Sequence, residues 1–212
     1  MPIAKNYRFN VFINCPFDPK YMKLFHAIVF TIIDCGFVPR CALEISDAGE
    51  ERLSKILKII AECKFGVHDI SRTQLDNKNN LPRFNMPLEL GLFLGARYFG
   101  TTLQKKKNCI ILDKEKYRYQ KFISDLGGKD VVAHSNKIAN TIRAIRNWAA
   151  ANSEEVIPGD QNILEKYCDF SCQLPQQCKQ LRLESKSLIF VDYLRLAEEW
   201  LFKYDKIIGR EE

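Results

Sequence analysis

Five short apolar segments, each followed by a stretch with helical spacing, occupy the first 150 residues, and this alternation constrains the fold more than any other feature. The segments are "RFNVFINC" (8–15), "VPRCALE" (38–44), "FGVHDIS" (65–71), "NCIILD" (108–113) and "DVVAH" (130–134). They are rich in Val, Ile and Phe, as strands are. After the first comes "YMKLFHAIVFTIIDCGF", with Leu24, Ile28, Ile32 and Cys35 at helical spacing and Gly36 as a stop. After the second comes "EERLSKILKIIAECK" (50–64), with Leu53, Ile56, Leu57 and Ile60 on one face. A polar loop, "RTQLDNKNNLPRFN", leads to a helix after Pro87; further helices are expected around "RYQKFISDL" and from about Lys137 to Ala150. Short strands joined by crossing helices predict a parallel sheet with helices on both faces.

The expected architecture is therefore α/β: a flavodoxin-like three-layer sandwich with a five-stranded parallel sheet over residues 1–152, followed by a helical C-terminal extension over 153–212. "SEEVIPGDQ" reads as the linker between them. The extension reads as three short helical pieces, "QNILEKYCDFSC", "QQCKQLRLES" and "SLIFVDYLRLAEEWLFKY", the last either closing the core or forming an oligomer seam. Ligands in such sheets sit at the carboxyl ends of the strands. That rule selects Asn14 to Asp18, Arg40 to Glu44, Asp69 to Arg72 and the start of the helix after Pro87.

The last of these contains an anomaly. After Pro87 every residue through Gly95 is apolar or glycine except Glu89, and a helix apolar nearly all round belongs in the interior. A buried carboxylate without partners is costly, so Glu89 is expected to be paired, protonated, or facing a cavity where its charge is used. The purely structural alternative is a cap: with Met86 as N-cap, Glu89 stands three residues in and reaches back to a free backbone N–H. Asn85 is the better N-cap by type, which puts Glu89 at the fourth position. There the helix dipole favours its ionised form. Such a carboxylate suits a nucleophile or cation stabiliser better than a general acid, as in cleavage of a glycosidic bond through an oxocarbenium-like transition state.

Charge and cysteine usage narrow the setting. The net charge of +6 is uneven: residues 101–150 carry 11 basic against 4 acidic groups, and residues 151–212 carry 8 against 12. The basic 105–146 region, with Lys105 to Lys107, Arg143 and Arg146, is a candidate surface for nucleic acid or polyphosphate. A solvated face complemented by the acidic tail of a neighbouring subunit is an equal alternative, and no nucleic-acid motif accompanies the region. The N-terminus lacks the apolar core of a secretion signal, and no apolar run is long enough to cross a bilayer. The expectation is a cytoplasmic protein whose eight cysteines are free thiols. Cys168, Cys172 and Cys178 match a zinc clip only loosely, so no metal is expected.

Phosphate-cradling glycine motifs are absent. A nucleophilic Cys15 beside His68 is conceivable, but Cys15 reads better as a small buried hydrophobe, and His26 as a core or edge residue of its helix.

The run "LPRFNMPLELGLFLGARYFG" (81–100) resembles the Glu-Leu-Gly segment of bacterial TIR-like domains, NAD⁺-consuming enzymes of many defence systems. "FNVFINCPFD" is similar to their first strand and "GVHDIS" to their third, so the resemblance covers roughly residues 7–150. The same helix occurs in nucleoside 2-deoxyribosyltransferases. The resemblance implies that Glu89 is the catalytic carboxylate, that Arg83 and Asn85 shape the site, and that Asp69 positions substrate as in the transferases. It departs from both families: Arg83 and Phe84 stand where the transferases carry an acid, and "NCPFD" replaces a Ser-rich turn.

Nicotinamide leaves NAD⁺ as a neutral base from a cationic ring, so one carboxylate suffices, whereas a neutral purine or pyrimidine also needs an acid. The expected activity is NAD⁺ glycohydrolysis, with NAD as substrate rather than cofactor, extending to cyclisation or transfer of the ADP-ribose. Arg40, Arg72 and Arg83 would hold the diphosphate, Phe17 would stack on a base, and Asn14, Asp18 and Ser71 complete the contacts. The alternatives are deoxyribosyl transfer and a non-catalytic assembly module. A homo-oligomer or partner-activated assembly is expected, because many TIR-type domains act that way.

Overall fold

A computed structural model describes residues 6–44, 49–73, 75 and 80–208. Residues 74 and 76–79 of the expected polar loop lie outside that set. Five strands form one sheet: β1 (Asn10–Asn14), β2 (Val38–Arg40), β3 (Phe65–Asp69), β4 (Asn108–Asp113) and β5 (Val131–Ala133). All pairs are parallel and the order is β2-β1-β3-β4-β5. The chain leaves β1 toward β2 and returns on the other side to β3, so the crevice where strand order reverses lies between β1 and β3. In-register pairing of Asn14 with His68, Asp69 with Leu112 and Asp113 with Ala133 brings the carboxyl ends to one edge.

The pleat sorts side chains between the two faces. Val11, Ile13, Val67, Ile110 and Leu112 pack with α1 (Met22–Asp34) and α4 (Ile138–Ala150). Phe12 packs with Ile56, Ile59 and Ile60 of α2 (Arg52–Ala61), and Ile70 and Ile111 pack with Met86 and Leu90 of α3 (Asn85–Phe99). The remaining helices, α5 (Asp160–Gln180) and α6 (Phe190–Ile208), lie outside α1 and α4 and share their core. Phe170 of α5 stacks on Phe30 of α1 at 5.4 Å and meets Trp200 of α6 at 5.8 Å. Lys166 of α5 binds Asp34 at 3.0 Å, a pair almost wholly withdrawn from solvent. These contacts place the last helix on the core.

Four expectations need correction. The helical pieces 161–172 and 176–185 are mostly one helix, α5, which continues through Pro175 to Gln180. A proline forfeits one backbone hydrogen bond, but Phe170 and Cys178, either side of it, are both buried in the core and hold the helix together. The expected helix around 118–126 is two short 3-10 turns, with Tyr117 in a left-handed conformation (φ 59°) just before them. The first helical residue of α3 is Asn85, after Phe84, so Glu89 lies beyond the first turn and is no cap. Nor is α3 interior on all sides: Leu88 is 56% exposed and Phe99 91%.

Candidate active site

Sequence position alone gathers Glu89, Asn14 and Asp69 into one crevice. The pleat divides them. Asn14 is in phase with Phe12 and faces α2 and α3; Asp69 is in phase with Phe65 and Val67 and faces α1.

On the first side, the Asn14 amide donates to Met86 O at 2.8 Å and lies 3.1 Å from His68 Nδ1. Asn14 is thus a buried strut that fixes the first turn of α3 over the ends of β1 and β3. Glu89 follows on the sheet-facing side of α3, with Met86, Leu90 and Phe93 as its buried companions. Its residue is 7% exposed. No hydrogen bond or ion pair holds its carboxyl group among the described residues, and burial pushes its pKa up to about 7 against the opposing charge of Arg52 at the start of α2. Burial thus opposes the expected ionisation, and beyond the first turn of α3 the helix dipole does little to restore it.

On the second side, Asp69 is fully buried. Tyr21 donates its hydroxyl to Oδ2, the Ser71 N–H binds Oδ1 at 2.8 Å, and His134 Nε2 lies 3.0 Å from Oδ2. Burial disfavours the Asp69 charge, yet His134, Ser71 and Tyr21 together hold its pKa below the usual carboxylate range. Asp69 has no open path to a substrate; it organises the loops around it. Tyr21 and His134 are the residues that sequence reading missed, although His134 directly follows the fifth strand and so satisfies the strand-end rule.

The remaining candidates are dispersed. Arg40 is committed to Glu44 at 2.6 Å and Glu62 at 3.0 Å, and Arg72 to Asp18 at 2.9 Å. Asp18 also binds the backbone N–H groups of Lys20 and Tyr21 and so shapes the entry to α1. Phe17 packs on the core with its ring edge-on to Phe25 at 5.2 Å. Arg83 and Asn85 are exposed at the approach to α3, and neither Arg83 nor Arg52 has an ion-pair partner among the described residues. Ser71 is buried with its backbone carbonyl accepting from Arg118 at 2.9 Å.

Cys15 and His68 form no dyad. Burial, then the charges of Asp69 and Glu89 among others, push the Cys15 thiol well above its ordinary pKa, the reverse of an activated nucleophile. Burial, helped by Lys107, pulls His68 down to about 3, between the rings of Phe12 and Phe93. Burial alone pulls His26 down to about 4, where it stacks on Tyr193 at 3.9 Å.

The basic region is also largely occupied. Lys107 is buried, donating to Ile60 O at 2.6 Å and to Cys63 O at the end of α2. Arg143 pairs with Asp160 at 2.8 Å, and Arg146 binds the carbonyls of Pro158 and Ile157. The acidic partner of Arg143 is Asp160 of the same chain, not a residue of a neighbouring subunit. All eight cysteines are free thiols, with Cys168 and Cys172 exposed and Cys178 buried along α5. Among the described residues no helix is long and apolar enough to cross a membrane. Neither the family models, nor the curated proteins, nor the solved structures contain a match to this chain.

Proposed function

We propose that the chain is an N-glycosidase acting on a nucleotide, with NAD⁺ as its substrate and Glu89 as its catalytic carboxylate, in the manner of the TIR-like enzymes that residues 81–100 resemble. The observation that carries this reading is the state of Glu89: a buried carboxyl group at the carboxyl edge of a parallel sheet, without a hydrogen-bonding partner among the described residues. A side chain that is merely structural would be paired or replaced by an apolar one, since burial of an unpaired carboxylate costs stability. A cationic nicotinamide riboside beside it lowers its pKa and draws out the charge, which then stabilises the ribosyl cation as the C–N bond breaks.

Because Arg40 and Arg72 are engaged in ion pairs, the diphosphate role passes to Arg83 and to Arg52, which also acts on the Glu89 charge. Asp69 supports the site through its loops. NAD⁺ is favoured over deoxynucleosides because its leaving group departs without an acid. Assembly, as in other TIR-type domains, would raise activity with protein concentration.

Purified protein incubated with NAD⁺ over a range of protein concentrations should release nicotinamide, and Glu89→Gln should lower the rate by at least about 10²-fold with the fold intact. Base exchange on deoxynucleosides, with NAD⁺ untouched, would instead establish the transferase reading, with protonated Glu89 as the acid. Loss of neither activity in Glu89→Gln would leave Glu89 without a catalytic role.

A further inference from the structure

We propose that the cleft between the first turns of α1 and α4 binds a phosphate-bearing ligand of about mononucleotide size, at a site separate from Glu89. The cleft has a volume of about 340 Å³ and lies on the Asp69 side of the sheet, at the ends of β3, β4 and β5. This proposal stands independently of the NAD⁺ reading, because Glu89 is on the α2 and α3 side.

The charge of the cleft points to an anion. Its wall includes Lys20, Lys23, Arg72 and Lys114 and no acidic side chain. Lys20 and Lys23 have no side-chain partner among the described residues. The partner of Lys114, Glu115 at 3.4 Å, is 65% exposed, so that pair is weak. Arg72 is already paired with Asp18, so the open positive charge of the cleft is carried by Lys20, Lys23 and Lys114. Stability alone would arrange this differently, since cations are favoured at helix C-termini and anions at N-termini. Here α1 and α4 have no acidic residue in their first turns, Lys23 stands in the first turn of α1, and Lys137 precedes α4 without a side-chain cap; Asp18, just before α1, is shared between Arg72 and the N–H groups of Lys20 and Tyr21. A bound dianion would offset both the mutual repulsion of the cations and the positive helix ends.

The backbone of the cleft is held in place. Ser135 and Asn136, between β5 and α4, are both left-handed, at φ 54° and 55°. Such residues persist where the surroundings hold them. Ser135 N–H binds Lys114 O at 3.0 Å, and Asn136 N–H binds His134 Nδ1 at 2.9 Å. His134 in turn rests on Asp69, which also anchors Tyr21 and Ser71 in the wall of the cleft. The buried Asp69 cluster thus lies behind the wall of this cleft and holds Tyr21, Ser71 and Asn136 in place, which gives a fully buried carboxylate at a strand end a role. Leu24 and Ile138 supply apolar surface for the ligand's organic part, and the cleft is at the small end of ligand pockets, roughly 300–1,000 Å³.

The test is calorimetric titration of the full chain with AMP and with adenosine, in wild type, Glu89→Gln, Lys23→Glu/Lys114→Glu and the milder Lys23→Gln/Lys114→Gln. We expect AMP to bind wild type and Glu89→Gln equally, adenosine not to bind, and the double charge reversal to weaken AMP at least tenfold. The Gln pair, which keeps side-chain bulk without the charges, should weaken it by a smaller factor. The melting temperature of each variant without ligand confirms that it is folded. Failure of AMP to bind wild type at millimolar concentration, undiminished binding in both lysine pairs, or binding lost in Glu89→Gln would each overturn the proposal.

Discussion

Helices α1 and α3 carry the same kind of sequence, apolar nearly all round, and meet different fates. In α1 a continuous run from Ala27 to Ile32 is buried, because the sheet covers one side and α5 and α6 cover the other. In α3 only Met86, Glu89, Leu90 and Phe93 are buried, and Leu88, Tyr98 and Phe99 face outward. An all-apolar helix therefore announces a demand for a second covering layer without saying whether the same chain meets it. For α1 the chain meets the demand with α5 and α6, of 21 and 19 residues; for α3 the face carrying Leu88 and Phe99 stays open.

The sharpest way to break the contrast is to remove the cover of α1. Phe170 is fully buried among Phe30, Tyr193 and Trp200. Phe170→Ala should destabilise the protein by about 3–5 kcal/mol, through lost burial and the cavity left behind. Denaturant unfolding measures this directly, and a loss under about 1 kcal/mol would mean that α5 and α6 are not part of the cooperative core.

The α3 side has its own internal anchor, next in size. Lys107 holds two carbonyls at the end of α2 and lies 4.6 Å over the ring of Phe93 in α3. Burial, only partly offset by neighbouring thiols, pulls its pKa down to about 8. Lys107→Ala strands both carbonyls and should cost about 3 kcal/mol. A variant as stable as wild type would show that water replaces the ammonium without loss.

Glu89 should give the reverse sign. Its folded-state pKa, about 7, is above the unfolded value of 4.5, so the folded chain holds the extra proton between these limits. Stability is then greatest below about pH 4.5 with respect to this group and declines as pH rises through 7. The full shift corresponds to about 3 kcal/mol. Glu89→Gln should therefore melt higher than wild type at pH 8, by roughly 5–10 °C for a chain of this size, and the gap should close toward pH 5. A stabilised but inactive variant is what a strained catalytic group predicts; a destabilised one would indicate an unseen partner for the carboxylate.

How far each feature could be read from sequence follows from its range. The strands and their order rest on local apolar runs and on the handedness of crossovers, and all five appear where expected. The Glu-Leu-Gly segment stood out because one charged residue interrupted an apolar run. Burial of Lys107 and the Glu62 half of the Arg40 pairing were not legible, since Ile60 and Cys63 are distant in sequence from Lys107, and Glu62 from Arg40; the Glu44 half, four residues from Arg40, was open to a local reading. The division of Asn14 from Asp69 was legible in principle: they follow Phe12 and Val67 by two positions each, and Phe12 and Val67 face opposite sides. Strand-end reasoning pools both sides of the sheet and so merges its two faces into one.

The smallest expected effect tests the open side of α3. Phe99 is 91% exposed and its neighbour Tyr98 56%, so in an isolated chain Phe99→Ser removes almost no burial and should alter unfolding free energy by less than about 0.5 kcal/mol. Should the chain associate through this face, the same substitution removes an aromatic that an interface would bury, and its effect becomes concentration-dependent. Melting temperatures of wild type and Phe99→Ser measured over a hundredfold range of protein concentration separate the two cases. Parallel lines leave α3 uncovered, in contrast to α1; lines that diverge with concentration would mean that α3 too is covered, by a second copy, and the difference between the helices would reduce to cover in cis against cover in trans.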